Sequence, residues 1–225
     1  MIAPALKSLG EVKLYAILDL AYVAPYDAEK VARELLRGGA DLLQLRGKTQ
    51  AVAELRELAS RLHGLTSAAG VPLIINDHAE IARDLPVEGL HLGQDDLPIA
   101  AAREVVQRDC WIGKSTQSLA QASAAVTEGA DYIGFGPLFA TPTKPTYPPI
   151  GTADIRRVHE LVQLPVFCIG GIKLGNLADV LRAGATRVVI VSGLLQSSDI
   201  AATTREAKTL LRAAIANRKS QIANP

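Results

Sequence analysis

The chain has little cysteine, no surplus of charge and no long apolar run, and each shortage closes off a class of function. Cys110 and Cys168 are the only cysteines, far apart and without metal-ligand spacing, so neither a disulfide framework nor a zinc site is expected. A formal net charge of +1 with 21% charged residues leaves no basic face for nucleic acid and no acidic tail. No apolar stretch approaches the roughly 20 residues of a membrane span. The opening MIAPALKSLGEVK has no charged region leading into an apolar one, so a soluble, cytoplasmic protein is expected. No G-x-G-x-x-G follows the first apolar run, which argues against a dinucleotide-binding open sheet.

What is present is repetition. At 225 residues, 48% of them hydrophobic, the chain can bury a sizeable core. Short apolar runs alternate with helix-length segments. Strands are expected at Lys13–Leu20, Leu42–Leu45, Pro72–Ile75, Gly89–Leu92, Cys110–Gly113, Asp131–Gly134, Val166–Ile169 and Thr186–Val191. Between them, helices are expected from Asp27 (as N-cap) to Arg37, Thr49 to Ala69, His78 onward, Pro98 onward, Ser118 to Glu128, Thr152 to Leu161 and Leu174 to Ala183. A last helix is expected from Asp199 to Ala216. GGADLLQL, EGADYIGF and AGATRVVI echo one another: glycine ends a helix, then small residues lead into a buried parallel strand. Eight such units predict an α/β fold, a (β/α)8 TIM barrel, as one domain over 1–225. A loose arm is expected over about 1–12 and a frayed tail over about 217–225.

In such a barrel all strand C-termini share one mouth. Reading those ends collects Gln44, Arg46, Lys48, Asn76, Asp77, Asp96, Ser115, Thr141, Thr143, Lys144, Gly170, Gly171, Ser192 and Gly193. Asp77 and Asp96 end neighbouring strand–loop junctions, and two carboxylates ~4 Å apart at an effective dielectric near 20 repel by about 4 kcal/mol. A proton, a cation or a metal must sit between them, and magnesium is the reading favoured. Gly170-Gly171 and Ser192-Gly193 follow the last two strands, where barrels bind phosphate through backbone N–H groups and a helix N-terminus. Arg46, Lys48 and Lys144 form a second cationic set suited to a diphosphate. Neither histidine nor cysteine is expected at the mouth, which disfavours nucleophilic or general-base chemistry led by the protein. A reaction driven by diphosphate departure needs only positioning and charge stabilisation. The Pro- and Thr-rich segment FGPLFATPTKPTYPPIG is too long to be a mere connector, and residues 137–150 are expected to act as a lid.

The motifs QLRGK (44–48), INDHAEIA (75–82), GLHLGQDDLP (89–98), IGKSTQS (112–118), GADYIGFGPLFATPTK (129–144), PPIG (148–151), IGGI (169–172) and VVIVSG (188–193) resemble, in that order, the thiamine-phosphate synthase (thiamine-phosphate pyrophosphorylase) family. The likeness runs from Leu14 to Leu195. It implies an enzyme, a transferase that joins a hydroxymethylpyrimidine diphosphate to a thiazole phosphate, releasing diphosphate by a dissociative, magnesium-assisted substitution. By position, Asp77 and Asp96 would bind Mg2+, and Arg46, Lys48, Asn76 and Lys144 would hold the diphosphate. Gln44 and Ser115 would address the pyrimidine and the departing group. Thr141 and Thr143 would contact the thiazole phosphate or order the lid. Gly171, Val191 and Ser192 would bind the thiazole phosphate through backbone groups. Arg46, Lys48, Ser115 and Lys144 would carry the catalysis. The partners implied are two phosphorylated small molecules, with a homo-oligomer admissible. The chain departs from the family pattern at Gly47 (usually acidic), His78 (usually Arg), Lys114 (usually apolar) and Ala140 (usually Pro). Gln117 stands where some relatives carry His. The alternative reading is a paralogous barrel, either a thiazole-phosphate tautomerase or a non-catalytic regulator.

Overall fold

In the computed structural model, which describes residues 5–142 and 147–223, eight parallel strands close into a barrel in sequence order. The strands are β1 (Leu14–Asp19), β2 (Leu42–Arg46), β3 (Leu73–Asn76), β4 (Gly89–Leu92), β5 (Trp111–Thr116), β6 (Tyr132–Phe135), β7 (Val166–Cys168) and β8 (Val188–Ile190). β8 pairs back onto β1 through Leu14↔Val188, Tyr15↔Val189 and Ala16↔Ile190. The helices are α1 (Ala28–Gly38), α2 (Val52–Ala68), α3 (Ala79–Asp84), α4 (Ile99–Val106), α5 (Leu119–Thr127), α6 (Ile155–Leu161), α7 (Leu174–Arg182), α8 (Ser192–Leu195) and α9 (Ile200–Ala223). The expected (β/α)8 TIM barrel is therefore present. No helix among the described residues is long and apolar enough to cross a membrane.

Alternation along the strands divides the core into two layers. Leu14, Ala16 and Leu18 of β1 pack outward with Leu43, Leu45, Ile75 and the helix faces. Tyr15 and Ile17 point inward, onto Leu42, Ile74, Tyr132, Phe167 and Val189. Three rings meet edge to face there, with Phe167 at 5.5 Å from Tyr15 and 5.6 Å from Tyr132. Room for Tyr132 comes from Gly113, where an added Cβ would lie 2.1 Å from the Tyr132 Cζ. Gly113→Ala is accordingly expected to cost about 2–3 kcal/mol by overpacking and to lower the melting temperature by roughly 4–12 °C. Thermal denaturation checks this, and an unchanged midpoint would contradict the packing.

Several boundaries differ from expectation for local reasons. β5 runs on to Thr116, because Ser115 and Thr116 pair with Gly134 and Phe135 and the Thr116 hydroxyl donates to Gly134 O at 3.0 Å. Its polar composition hides a strand. Asp27 stands at the N-cap of α1 without a capping side-chain bond, whereas Gly39 ends that helix at φ +92° as expected. Ser118 does cap α5, accepting from Gln121 N at 3.2 Å. Pro98 is the N-cap of α4 rather than its first residue. The four-residue α8 was not anticipated. Residues 217–223, where a frayed tail is expected, continue α9; there Arg218 donates to Leu181 O and, at 2.7 Å, to Gly184 O. The expected loose arm is tied down over 5–12 by Lys7 Nζ on Asp41 (2.6 Å) and by a fully buried Val12.

The segment after β6 is anchored at both ends. Leu138 N donates to Ile169 O at 2.8 Å, Phe139 N to Gly170 O at 3.1 Å, and Ile150 N to Pro137 O at 2.8 Å. The expected lid over 137–150 is thus hydrogen-bonded at its base. The expected site residues Thr143 and Lys144 lie outside the described residues.

Candidate functional site

The strand C-termini surround a cleft of about 930 Å³, counted to its open mouth. Gln44, Arg46, Lys48, Asn76, Asp77, Asp96, Ser115, Thr141, Gly170, Gly171, Val191 and Ser192 all line it. The structure therefore brings together every described residue of the expected site except Gly193.

One lip is built by the ends of β2, β3 and β4. Arg46 closes β2, and its Nη1 donates to Asp19 Oδ2 at 2.5 Å. Asp19 is buried at the end of β1, in register with Arg46, and its other oxygen accepts from Ala21 N at 3.0 Å. Asp19 orients the guanidinium, and strand-end reading could have found it, since LYAILD ends in an acid. Gly47 follows. There a Cβ would lie 2.5 Å from Leu55 Cδ2 and 2.7 Å from Gln50 Oε1, so the turn is packed closely around the glycine. Lys48 then reaches across to pair with the Asp77 carboxylate. Beside it, Asn76 is buried, and its Nδ2 has no hydrogen-bond partner. A buried donor left unmatched costs about 1–3 kcal/mol unless an acceptor arrives, and a ligand oxygen in the cleft would supply one.

Asp77 adopts φ +65°, a left-handed conformation that Asp tolerates better than most residues. Its N–H donates to His91 O at 2.9 Å. Withdrawal from water raises the Asp77 carboxyl above its ordinary pKa. Hydrogen-bond contact with Asp96 adds to this, and the opposing pull of Lys48 does not cancel it. Asp96 is in turn held by Gly93 N at 2.5 Å, where a Cβ on Gly93 would come within 2.8 Å of the same oxygen. The two carboxylates thus face each other with excess negative charge, which fits a cation. Among the described residues no three His, Cys, Asp or Glu groups converge to hold a metal. A carboxylate pair completed by ligand oxygens suits magnesium, which is seldom held by protein alone.

The opposite lip is backbone. Gly170 and Gly171 adopt φ +97° and +65° where Pro137 and Phe139 crowd them, so a side chain at either would clash. Asn176 Nδ2 fixes Gly171 O at 2.9 Å. Val191 and Ser192 lead into α8, whose first N–H groups have no intrahelical acceptor. Gly193 packs against Ile172 O and does not line the cleft.

One expectation needs correction. The mouth does contain a histidine: His91 points inward from β4, lines the cleft, and holds Ser115 Oγ by Nε2 at 3.0 Å and Tyr132 OH by Nδ1 at 3.2 Å. Strand-end reading missed it because it lies one step below the rim; the alternation in GLHL was the available signal. Lys114, where the family is usually apolar, stands on the same strand face as outward-packed Ile112, buried and away from the cleft. His78 pairs through Nδ1 with Glu80 at 3.1 Å.

With this geometry in place, known proteins give a consistent answer. A family model described as TMP-TENI, thiamine monophosphate synthase, matches residues 14–194. The thiamine-phosphate synthase of Halalkalibacterium halodurans is 40% identical over 204 residues, covering 90% of this chain and 97% of that protein. That of Chloroflexus aurantiacus is 38% identical over 200 residues, covering 88% and 92%. The solved thiamine phosphate pyrophosphorylase from Pyrococcus furiosus superposes with a TM-score of 0.83 at 30% identity, covering 92% of this chain and 98% of that one. A closed eight-stranded barrel, a two-sided polar mouth and these likenesses converge: the chain belongs to the thiamine monophosphate synthase family.

Proposed function

We propose that the protein is a thiamine-phosphate synthase, joining 4-amino-5-hydroxymethyl-2-methylpyrimidine diphosphate to a thiazole phosphate. The observation that carries this reading is the division of one cleft. Cationic and carboxylate side chains crowd one lip, while glycine backbone and the start of α8 form the other. Two anionic ligands can therefore lie head to head. The diphosphate would take the Arg46 and Lys48 side, and the thiazole phosphate the Gly171, Val191 and Ser192 side.

In the reaction the C–O bond between the pyrimidine methylene and the diphosphate breaks, the diphosphate keeping the electron pair. The thiazole nitrogen then forms the C–N bond, and no proton must be removed by the protein. Arg46, already aimed by Asp19, and the unmatched Asn76 amide would donate to the departing oxygens. Lys48 would shift from Asp77 to the diphosphate, and Lys144 is assigned the same task. Gln44 and Ser115 would hold the pyrimidine. Thr141 would reach the thiazole phosphate, as would Thr143. Magnesium held by Asp77 and Asp96 would offset charge growing on the leaving group. The preorganised donors act where charge develops, so they contribute to kcat rather than to ground-state binding alone.

The division of the cleft is tested by Asn76→Asp, which puts a carboxylate where a donor stood. KM for the pyrimidine diphosphate is expected to rise about 100-fold, roughly 2.7 kcal/mol, with KM for the thiazole phosphate within about twofold. Equal increases for both substrates would contradict the two-sided assignment.

A further inference from the structure

A run of hydrogen bonds that the proposed chemistry does not call on crosses the barrel interior below the cleft. It starts and ends at two cleft-lining side chains, Gln44 and Ser115. Gln44 Nε2 donates to Tyr15 OH at 2.5 Å, and the Tyr15 and Tyr132 hydroxyls meet at 3.3 Å. Tyr132 OH meets His91 Nδ1 at 3.2 Å, and His91 Nε2 meets Ser115 Oγ at 3.0 Å. Gln44, Tyr15, Tyr132 and His91 are all buried. Removal from water pushes both phenols well above their ordinary pKa, so each keeps its proton.

Counting donors gives the run a direction. The Gln44 amide already donates to Tyr15, so the Tyr15 proton has one acceptor within reach, the Tyr132 oxygen. The Tyr132 proton must then go to His91 Nδ1. That leaves His91 neutral with its proton on Nε2, donating to Ser115 Oγ. Ser115 in turn has its own O–H left for the cleft. At the far end the Gln44 Oε1 is buried without a partner, an acceptor awaiting a donor.

We infer that His91 is a positioning residue: the Gln44–Tyr15–Tyr132 relay fixes its tautomer, and its Nε2–H then sets Ser115 as a donor toward the cleft, opposite the Gln44 acceptor. The ligand this polarity selects offers an N–H to Gln44 and a lone pair to Ser115. An aminopyrimidine diphosphate has both, in its exocyclic amine and its ring nitrogen or ester oxygen. An oxo analogue would set a lone pair against Gln44 Oε1 and lose the match. The inference rests on the proposed function for its ligand but not for its hydrogen-bond direction.

The test has two arms. The first reads the His91 imidazole of the ligand-free wild-type protein by 15N NMR, where the proton is expected on Nε2 with Nδ1 unprotonated. In Tyr132→Phe, which removes the donor to Nδ1, that tautomer preference is expected to weaken. A proton on Nδ1 in the wild type overturns the assignment. The second arm is kinetic. His91→Leu is expected to lower kcat about 50-fold while KM for the thiazole phosphate stays within about twofold, and His91→Gln, which keeps an N–H donor, is expected to recover about tenfold of that. Placed on Ser115→Ala, His91→Leu is expected to change kcat by less than about threefold, because the effect passes through Ser115. Losses that multiply overturn the inference. Absence of turnover in the wild type would strike the functional reading instead, and the tautomer would still decide the relay.

Discussion

Asp77→Ala is expected to lower magnesium-dependent diphosphate release about a thousandfold, roughly 4 kcal/mol of transition-state stabilisation. The size follows from how much converges on one carboxylate. Asp77 faces Asp96, takes the Lys48 ammonium, and is held in a left-handed turn by the His91 carbonyl. Removing it halves the carboxylate pair and frees Lys48 from its anchor. Asp77→Asn separates these effects, since the amide keeps the turn and an acceptor for Lys48 but not the charge. Both variants are expected to lose activity, and Asp77→Asn is expected to keep wild-type affinity for the thiazole phosphate, which the proposed function assigns to the backbone lip. Steady-state kinetics over a magnesium titration is the measurement. Activity within about tenfold of wild type would place the cation elsewhere.

The largest stability effect is expected at the other end of the barrel. Asp41 is buried where β2 begins, and its Oδ2 accepts from the backbone N–H groups of Lys13 and Leu14, each at 3.0 Å. The same oxygen pairs with Lys208 of α9, and Oδ1 takes Lys7 at 2.6 Å. One carboxylate thus ties the N-terminal segment and the last helix to the barrel floor. Burial alone would raise its pKa. Hydrogen bonds from Lys208, Lys7 and the Leu14 amide outweigh burial and hold it below the ordinary carboxylate value. At Lys208 the balance tips the other way: burial depresses its pKa more than Asp41 restores it. The pair is therefore costly to break rather than a large net gain. Asp41→Ala leaves Lys208 buried without this counter-charge and takes away the acceptor of the Lys13 and Leu14 amides, an expected loss of about 3–5 kcal/mol, or roughly 6–20 °C in melting temperature.

The pH dependence follows in sign. A carboxylate whose folded pKa is depressed contributes its full stability above the unfolded pKa, about 3.9, and loses it as pH falls through the folded value. Wild type and Asp41→Ala are thus expected to differ most at neutral pH and to converge in acid. Melting curves at pH 7 and pH 3 check this. A gap that is the same at both would contradict the charged role of Asp41.

How much of this was legible beforehand depends on where a residue sits along its strand. Strand ends are readable, because an apolar run breaking into Asn76-Asp77 or Gln44-Leu45-Arg46 exposes its chemistry in sequence. Residues one step below the rim are harder. His91 looks like an ordinary strand position until the inward face is known, and that face follows only from alternation once the barrel has closed. Asp19 is readable as an acid at a strand end, but its worth lies in register with Arg46, a pairing between strands that no local pattern shows. α8 is a single turn with no periodicity to detect. The burial of Lys114 is equally hidden, because a lysine facing outward from its strand is ordinarily solvated and only the finished helical layer covers it.

The most direct measurement is diphosphate release by the wild-type protein in four mixtures: complete, and lacking in turn the pyrimidine diphosphate, the thiazole phosphate or magnesium. A synthase releases diphosphate and forms thiamine phosphate in equal amounts in the complete mixture alone. Binding of thiazole phosphate with no diphosphate released in any mixture would contradict the account and make the chain a barrel of the same family without the coupling reaction.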